Sequence, residues 1–164
     1  MGLYWLNHFM HMVPLPLMGD ASTESELSYR MLTACDYPGI CALISADPAG
    51  VSECDSEDRT VAFLSRNSRY CFGAVCNGEL IGMIMCGCDG RSARIYHLNV
   101  APAWRRQGVA HTLIGMAYDA LRSEGIAVMD VVVFREAPET EFWESEGFRD
   151  RSDLSYRDFS LYDL

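Results

Sequence analysis

The chain has 164 residues, 49% of them hydrophobic, and carries 23 acidic against 13 basic side chains for a formal net charge of −10. A chain of this length buries about two-thirds of the surface that its unfolded form exposes, which suits a single domain. The acidic balance argues against a nucleic-acid partner, because neutralising phosphates needs a basic face, and it favours a cationic ligand.

Residues 1–26 read as an extension of uncertain structure, apolar at Trp5, Phe9 and Pro14 and broken by Asn7, His8 and His11. They lack the basic flank and unbroken apolar core of a signal peptide, and two prolines interrupt any membrane span, so a cytoplasmic protein without membrane contact is expected. Packing of this segment on the domain or on a second copy is the expected role, which is compatible with a homodimer. Residues 27–164 form the domain. Leu27 to Thr33 predicts a first strand, and Asp36-Tyr37-Pro38 starts a helix that runs to about Ser45. Asp47 to Ser56, with Pro48 and Gly50, is a loop. Ser56 caps a second helix through about Arg66, with Glu57 and Asp58 in its first turn.

Tyr70–Cys76 and Leu80–Cys88 predict strands joined by Asn77-Gly78, a pair suited to a tight hairpin. Ile95–Val100 is a further strand, stopped by Pro102, and from Gln107 the residues Val109, Ala110, Leu113, Ile114, Ala117, Ala120 and Leu121 recur at helical spacing, with Gly125 as the stop. Val128–Phe134 is a continuous β-branched run that a helical crossover brings in parallel, long enough to be buried on both faces. Ala137–Ser145 is a short helix, and Phe148–Arg149 and Ser155–Leu161 close the sheet. The seven cysteines form no Cys-x-x-Cys pair and read as reduced, buried thiols. No metal site is expected, since Cys86 and Cys88 share one strand face and His97 and His111 offer no ligand spacing.

Between the Ile95–Val100 strand and the long helix, the turn holds Arg105, Arg106 and Gly108. A helix start leaves about four N–H groups without partners and carries roughly half a positive charge, so it accepts a phosphate. Arg105-Arg106-Gln107-Gly108-Val109-Ala110 resembles the Arg/Gln-x-x-Gly-x-Gly/Ala signature of the GNAT superfamily of N-acetyltransferases, and Leu98-Asn99-Val100-Ala101-Pro102 and Phe142-Trp143-Glu144-Ser145-Glu146-Gly147-Phe148 are similar to it in register. The resemblance covers roughly Leu27 to Phe159. It implies an α/β fold with a mixed sheet of about six to seven strands, an antiparallel N-terminal meander, parallel pairing of the fourth and fifth strands, and four helices. It also implies acetyl-coenzyme A as co-substrate, held by the turn and helix start at Arg105 to Ala110. Main-chain groups of Leu98, Asn99 and Val100 would lie along the cofactor arm, with the Leu98 N–H facing the thioester oxygen.

The implied activity is transfer of the acetyl group to a primary amine, most readily that of a small molecule. A protein N-terminal or lysine acetyltransferase is one alternative, and a non-catalytic acyl-coenzyme A-binding module is another. Departures from the family pattern fall at the catalytic positions. Trp143 stands where many relatives have a tyrosine that protonates the thiolate; an indole is too weak an acid, so Trp143 reads as packing on the cofactor arm and the general acid is unassigned. Glu136 stands where relatives often place an asparagine. The glutamate base that many relatives carry is replaced by the stretch Arg94-Ile95-Tyr96-His97. A period of two puts Tyr96 beside Leu98 and His97 on the opposite face, unless a bulge intervenes. Tyr96 therefore ranks first for pocket access, although histidine titrates nearer neutrality; packing for Tyr96 and a hydrogen-bonded core position for His97 are the plain alternatives. Glu53, Asp55, Glu57 and Asp58 either face a cationic acceptor or form a solvated acidic helix start.

Overall fold

In the computed structural model the described residues are 26–47, 52–134 and 140–159. They form strands β1 (Leu27–Met31), β2 (Cys71–Cys76), β3 (Glu79–Cys88), β4 (Ala93–Val100) and β5 (Met129–Val131). The helices are α1 (Tyr37–Ser45), α2 (Glu57–Asn67), α3 (Val109–Ser123) and α4 (Thr140–Ser145). The strands lie in sequence order in one sheet, antiparallel from β1 to β4 and parallel between β4 and β5.

Local chemistry sets these elements as the pattern predicts. Asn77 and Gly78 adopt φ of 50° and 84°, the left-handed pair that a two-residue hairpin between β2 and β3 requires. Helix α3 buries Val109, Leu113, Ile114, Ala117 and Leu121 on one stripe against Phe72, Ala74, Ile84, Cys86 and Ile95 of the sheet. On the opposite face, Ile40, Leu43 and Ile44 of α1 and Leu64 of α2 meet Leu32, Cys71, Met83 and Met85. Two helical layers on one sheet therefore make two cores.

Strand β4 carries the irregularity that matters for function. Cys86 pairs with Ile95 and Met85 with His97, so Tyr96 is an extra residue without a cross-strand partner on β3. The backbone agrees: the Ala93 N–H donates to Val128 O at 2.9 Å on the β5 side, whereas the Ala101 N–H donates to Ile81 O at 2.8 Å on the β3 side. Residues eight apart would point the same way in a regular strand, and one bulged residue reverses that.

The far end of the sheet departs from the sequence expectation. β5 spans three residues instead of the run Val128–Phe134, and it is buried on one face only: Met129 and Val131 pack on the α3 core, while Val128, Val132 and Phe134 are exposed. The reason is Asp130, which interrupts the apolar run and pairs with Arg94 at 2.6 Å. The closing strands are likewise not strands among the described residues, so the sheet there has five and not six or seven. The Phe148 N–H is taken by Trp143 O at 3.0 Å, ending α4 behind Gly147 at φ 89°. In the second segment Tyr156 and Phe159 are both exposed, so the described part of it buries neither aromatic ring against the core. Residues 160 and 161 lie outside the described residues, as do Glu136 and the first part of the helix expected from Ala137.

All seven cysteines are free thiols. Cys71 and Cys86 are buried, which pushes both thiols up to about 12 and keeps them protonated. No group of three or more potential metal ligands occurs among the described residues, and no helix there is long and apolar enough to cross a membrane.

Candidate functional site

Parallel pairing of β4 with β5 covers Ala93, Arg94 and Ile95 and then stops. Beyond Ile95 the two strands part, and one edge of β4 from Tyr96 to Val100 has no β5 partner. Since the Ala101 N–H faces β3, alternation turns the main-chain groups of Val100 and Leu98 towards this open edge. Asn99 turns the other way, and its side chain is buried on the α1 face, where Nδ2 donates to Asp47 Oδ2 at 3.1 Å. Asn99 thus directs its side chain at the α1 layer and not at the open edge.

At the end of the open edge stands the turn before α3. Arg106 at φ 62° and Gly108 at φ 79° are both left-handed, with Gln107 between them, and Gly108 caps the helix. Such alternation turns successive N–H groups into a concavity that suits an anion. A Cβ built on Gly108 would meet no atom within 4 Å, so the space in front of the cap is open. This cradle, at the mouth of the unpaired edge, fits a diphosphate and its extended arm. Arg105 and Gln107 are exposed and bond back to the nearby main chain: Arg105 Nε donates to Val100 O at 3.0 Å and Gln107 Nε2 to Ala103 O at 2.8 Å, so both brace the turn. Val109 is fully buried in the α3 core, and Ala110 is half-buried. Trp143 is half-buried on α4 and meets Phe142 and Phe148 edge to face at 5.2 and 5.1 Å between ring centres.

The bulge brings Tyr96 and His97 onto the same side of the sheet. Tyr96 is 59% exposed and packs edge to face on Phe63 of α2 at 5.2 Å. With Phe63 it walls an open cleft of about 390 Å³ bounded further by Asn67, Gly87, Arg94 and Asp130. His97 is neighbour to the short 3-10 turn Glu53–Asp55, and its Nε2 lies 2.8 Å from Asp55 Oδ1. Asp55 is buried. Burial would raise its carboxyl, but the hydroxyl and N–H of Ser52, at 2.7 and 2.8 Å, and the nearby His97 outweigh that and hold it below the ordinary value.

The acidic stretch is thus divided: Glu53, Glu57 and Asp58 are exposed, while Asp55 is spent on His97. Residue types alone did not single out this pairing. The signal that does lie in the sequence is Ser52-x-x-Asp55, the spacing by which a cap and a carboxylate satisfy each other and hold a short turn closed.

A model of the GNAT acetyltransferase domain matches residues 46–161. An acetyltransferase of Pectobacterium atrosepticum is 35% identical over 57 residues, which is 35% of this chain and 40% of that protein. Among solved structures, the PaiA N-acetyltransferase of Thermoplasma acidophilum in complex with coenzyme A superposes with a TM-score of 0.69 at 17% identity, covering 79% of this chain and 93% of that one. The ribosomal-protein-S18-alanine N-acetyltransferase of Escherichia coli gives 0.65 at 22% identity, covering 77% and 80%.

Proposed function

Because the chain belongs to the GNAT acetyltransferase family, we propose that it transfers the acetyl group of acetyl-coenzyme A to a primary amine, in the cytoplasm and without nucleic acid or membrane as partner. The observation that carries this reading is the open edge of β4 from Tyr96 to Val100, with the left-handed cap at Gly108 beyond its end. Acetyl-coenzyme A supplies an activated thioester and a thiolate leaving group. The N–H groups at the start of α3 hold its diphosphate, and the Val100 N–H with the main-chain groups of Leu98 align its arm as a missing strand would, the Val100 carbonyl being held by Arg105. The Leu98 N–H stabilises the oxyanion as the amine nitrogen forms its bond to the carbonyl carbon. His97 takes the proton that the nitrogen sheds, and the carbon–sulfur bond then breaks, the thiolate taking a proton from water.

His97 outranks Tyr96 as the base. Tyr96 packs on an aromatic neighbour, whereas His97, the side-chain type most often used as a base, is paired through Nε2 with a carboxylate. A small-molecule amine is the leading acceptor; the cleft beside Tyr96 is of small-ligand size, and its lining includes Tyr96 but neither His97 nor Leu98, so the amine has to reach past Tyr96 towards His97. The alternative is a protein α-amine or lysine, the kind of acceptor that the Escherichia coli neighbour's name records.

The test is release of free coenzyme A thiol across a panel of small amines and N-terminal peptides, alongside calorimetric titration with coenzyme A. Binding with amine-dependent release is expected. Binding without release for any acceptor would leave an acyl-coenzyme A-binding module, and no binding at all would sink both. All thirteen basic residues of the chain are arginines, so any acetyl-lysine detected with a protein acceptor belongs to the acceptor.

A further inference from the structure

Both carboxylate oxygens of Asp55 are engaged. Oδ2 accepts from the Ser52 N–H at 2.8 Å and from the Ser52 hydroxyl at 2.7 Å, and Oδ1 faces His97 Nε2 at 2.8 Å. The hydroxyl donates to Oδ2 because an ionised carboxylate can only accept, and its own oxygen accepts from the Cys54 N–H at 3.2 Å. The turn that carries the carboxylate is itself pinned: Asp55 O accepts from the Tyr37 and Thr60 hydroxyls, both at 3.3 Å, and the Asp55 N–H donates to Ser52 O at 3.0 Å. With the Asp55 side chain 9% exposed, water does not substitute freely for any of these partners. An ionised carboxylate only accepts, so the imidazole atom that it meets must be a donor.

We propose that Asp55 is a positioning residue that holds the neutral His97 ring as the Nε2–H tautomer and leaves Nδ1 as the site that receives the acceptor's proton. This rests on the transferase reading for its purpose, but the tautomer itself is measurable without turnover. A histidine without a fixed partner divides itself between two tautomers, and only one of them presents a lone pair at a given nitrogen. His97 and Leu98 are neighbours on β4, so a contact from the Glu53–Asp55 turn fixes the ring beside the N–H that meets the thioester.

An amide at position 55 breaks this arrangement in a defined way. Asn has one carbonyl oxygen, and two Ser52 donors compete for it against a single imidazole donor. The oxygen stays with Ser52, the NH2 group turns to His97, and Nε2 must then accept, which moves the ring proton to Nδ1. The experiment is long-range proton–nitrogen NMR of uniformly 15N-labelled full-length protein well above neutral pH, on wild type, Asp55→Asn and Ser52→Ala. The same three proteins are assayed for kcat and for KM of acetyl-coenzyme A.

Expected are Nε2–H for His97 in wild type and in Ser52→Ala, and Nδ1–H in Asp55→Asn. The latter change comes with a loss in kcat of roughly a hundredfold at unchanged KM for acetyl-coenzyme A, the size of effect that goes with losing a placed base. Wild-type His97 in the Nδ1–H form, or an unchanged tautomer in Asp55→Asn, would overturn the proposal; so would equal loss of kcat in Ser52→Ala, which is what a purely structural turn would give. The wild-type tautomer is read without any substitution, so a poorly folding Asp55→Asn does not shield the proposal. Absence of transfer in wild type would defeat the transferase reading and leave the tautomer to decide this one separately.

Discussion

Tyr96 and His97 are adjacent in sequence and on the same side of the sheet, yet their surroundings assign them different work. Tyr96 meets a phenyl ring and open solvent, so Tyr96→Phe keeps its contact with Phe63 and is expected to retain turnover within a few-fold of wild type. His97 meets a buried carboxylate, and His97→Gln is expected to cost on the order of a hundredfold in kcat, the usual scale for losing a general base. Steady-state rates of both variants at saturating acetyl-coenzyme A check this, and a larger loss in Tyr96→Phe would reverse the ranking. Strand alternation taken alone favours Tyr96, because it pairs Tyr96 with Leu98. A single bulged residue is invisible to a period of two, and the ranking turns on it.

The elements that carry strong local codes, such as the Asn77-Gly78 hairpin, the α3 stripe and the strand stopped before Pro102, stand where the residues put them. β5 does not, since a β-branched run states a preference for extended chain without stating whether a second layer covers it. The Arg-Arg-Gln-Gly turn was legible as the start of a helix, but not the bonds by which Arg105 and Gln107 brace it, which depend on where Val100 and Ala103 direct their carbonyls. Gly108 and Gly78 allow a matched comparison of this element: both have positive φ, 79° and 84°, and at both an added Cβ meets nothing within 4 Å. Each Gly→Ala change should cost roughly 1 kcal/mol of folding stability through backbone strain. Only Gly108→Ala should also weaken coenzyme A binding, by roughly tenfold or more, because its Cβ enters the space in front of the helix start. Chemical denaturation and calorimetry on the two variants separate strain from ligand contact, and equal affinities would remove the diphosphate from this cap.

On the scale of the whole molecule, acid should loosen the edge of the sheet at β1 through Asp36. Hydrogen bonding to the Arg30 guanidinium, against the cost of burial, holds its carboxyl down to about 2 from an ordinary 3.8, with Thr33 N–H and hydroxyl assisting. A lowered folded-state value means that the stabilisation is present in full above 3.8 and is lost as pH falls through about 2. Asp36→Asn should therefore lower stability by about 1 kcal/mol at neutral pH and by nothing once the carboxyl is protonated, the small size reflecting a solvent-screened pair. Thermal melts of both proteins across that range, converging at the acid end, are the check. The extra residue in β4 has a consequence of another kind, for chain length. Removing Tyr96 altogether would leave Ile95 opposite Cys86 and His97 opposite Met85, so every existing pair with β3 survives the deletion. What would vanish is the local coiling that lets β4 leave its parallel neighbour, and Val132 to Phe134 could then zip onto the following residues of β4. A protein one residue shorter is expected to fold with a longer parallel ladder and to refuse coenzyme A, its missing strand having been supplied from within.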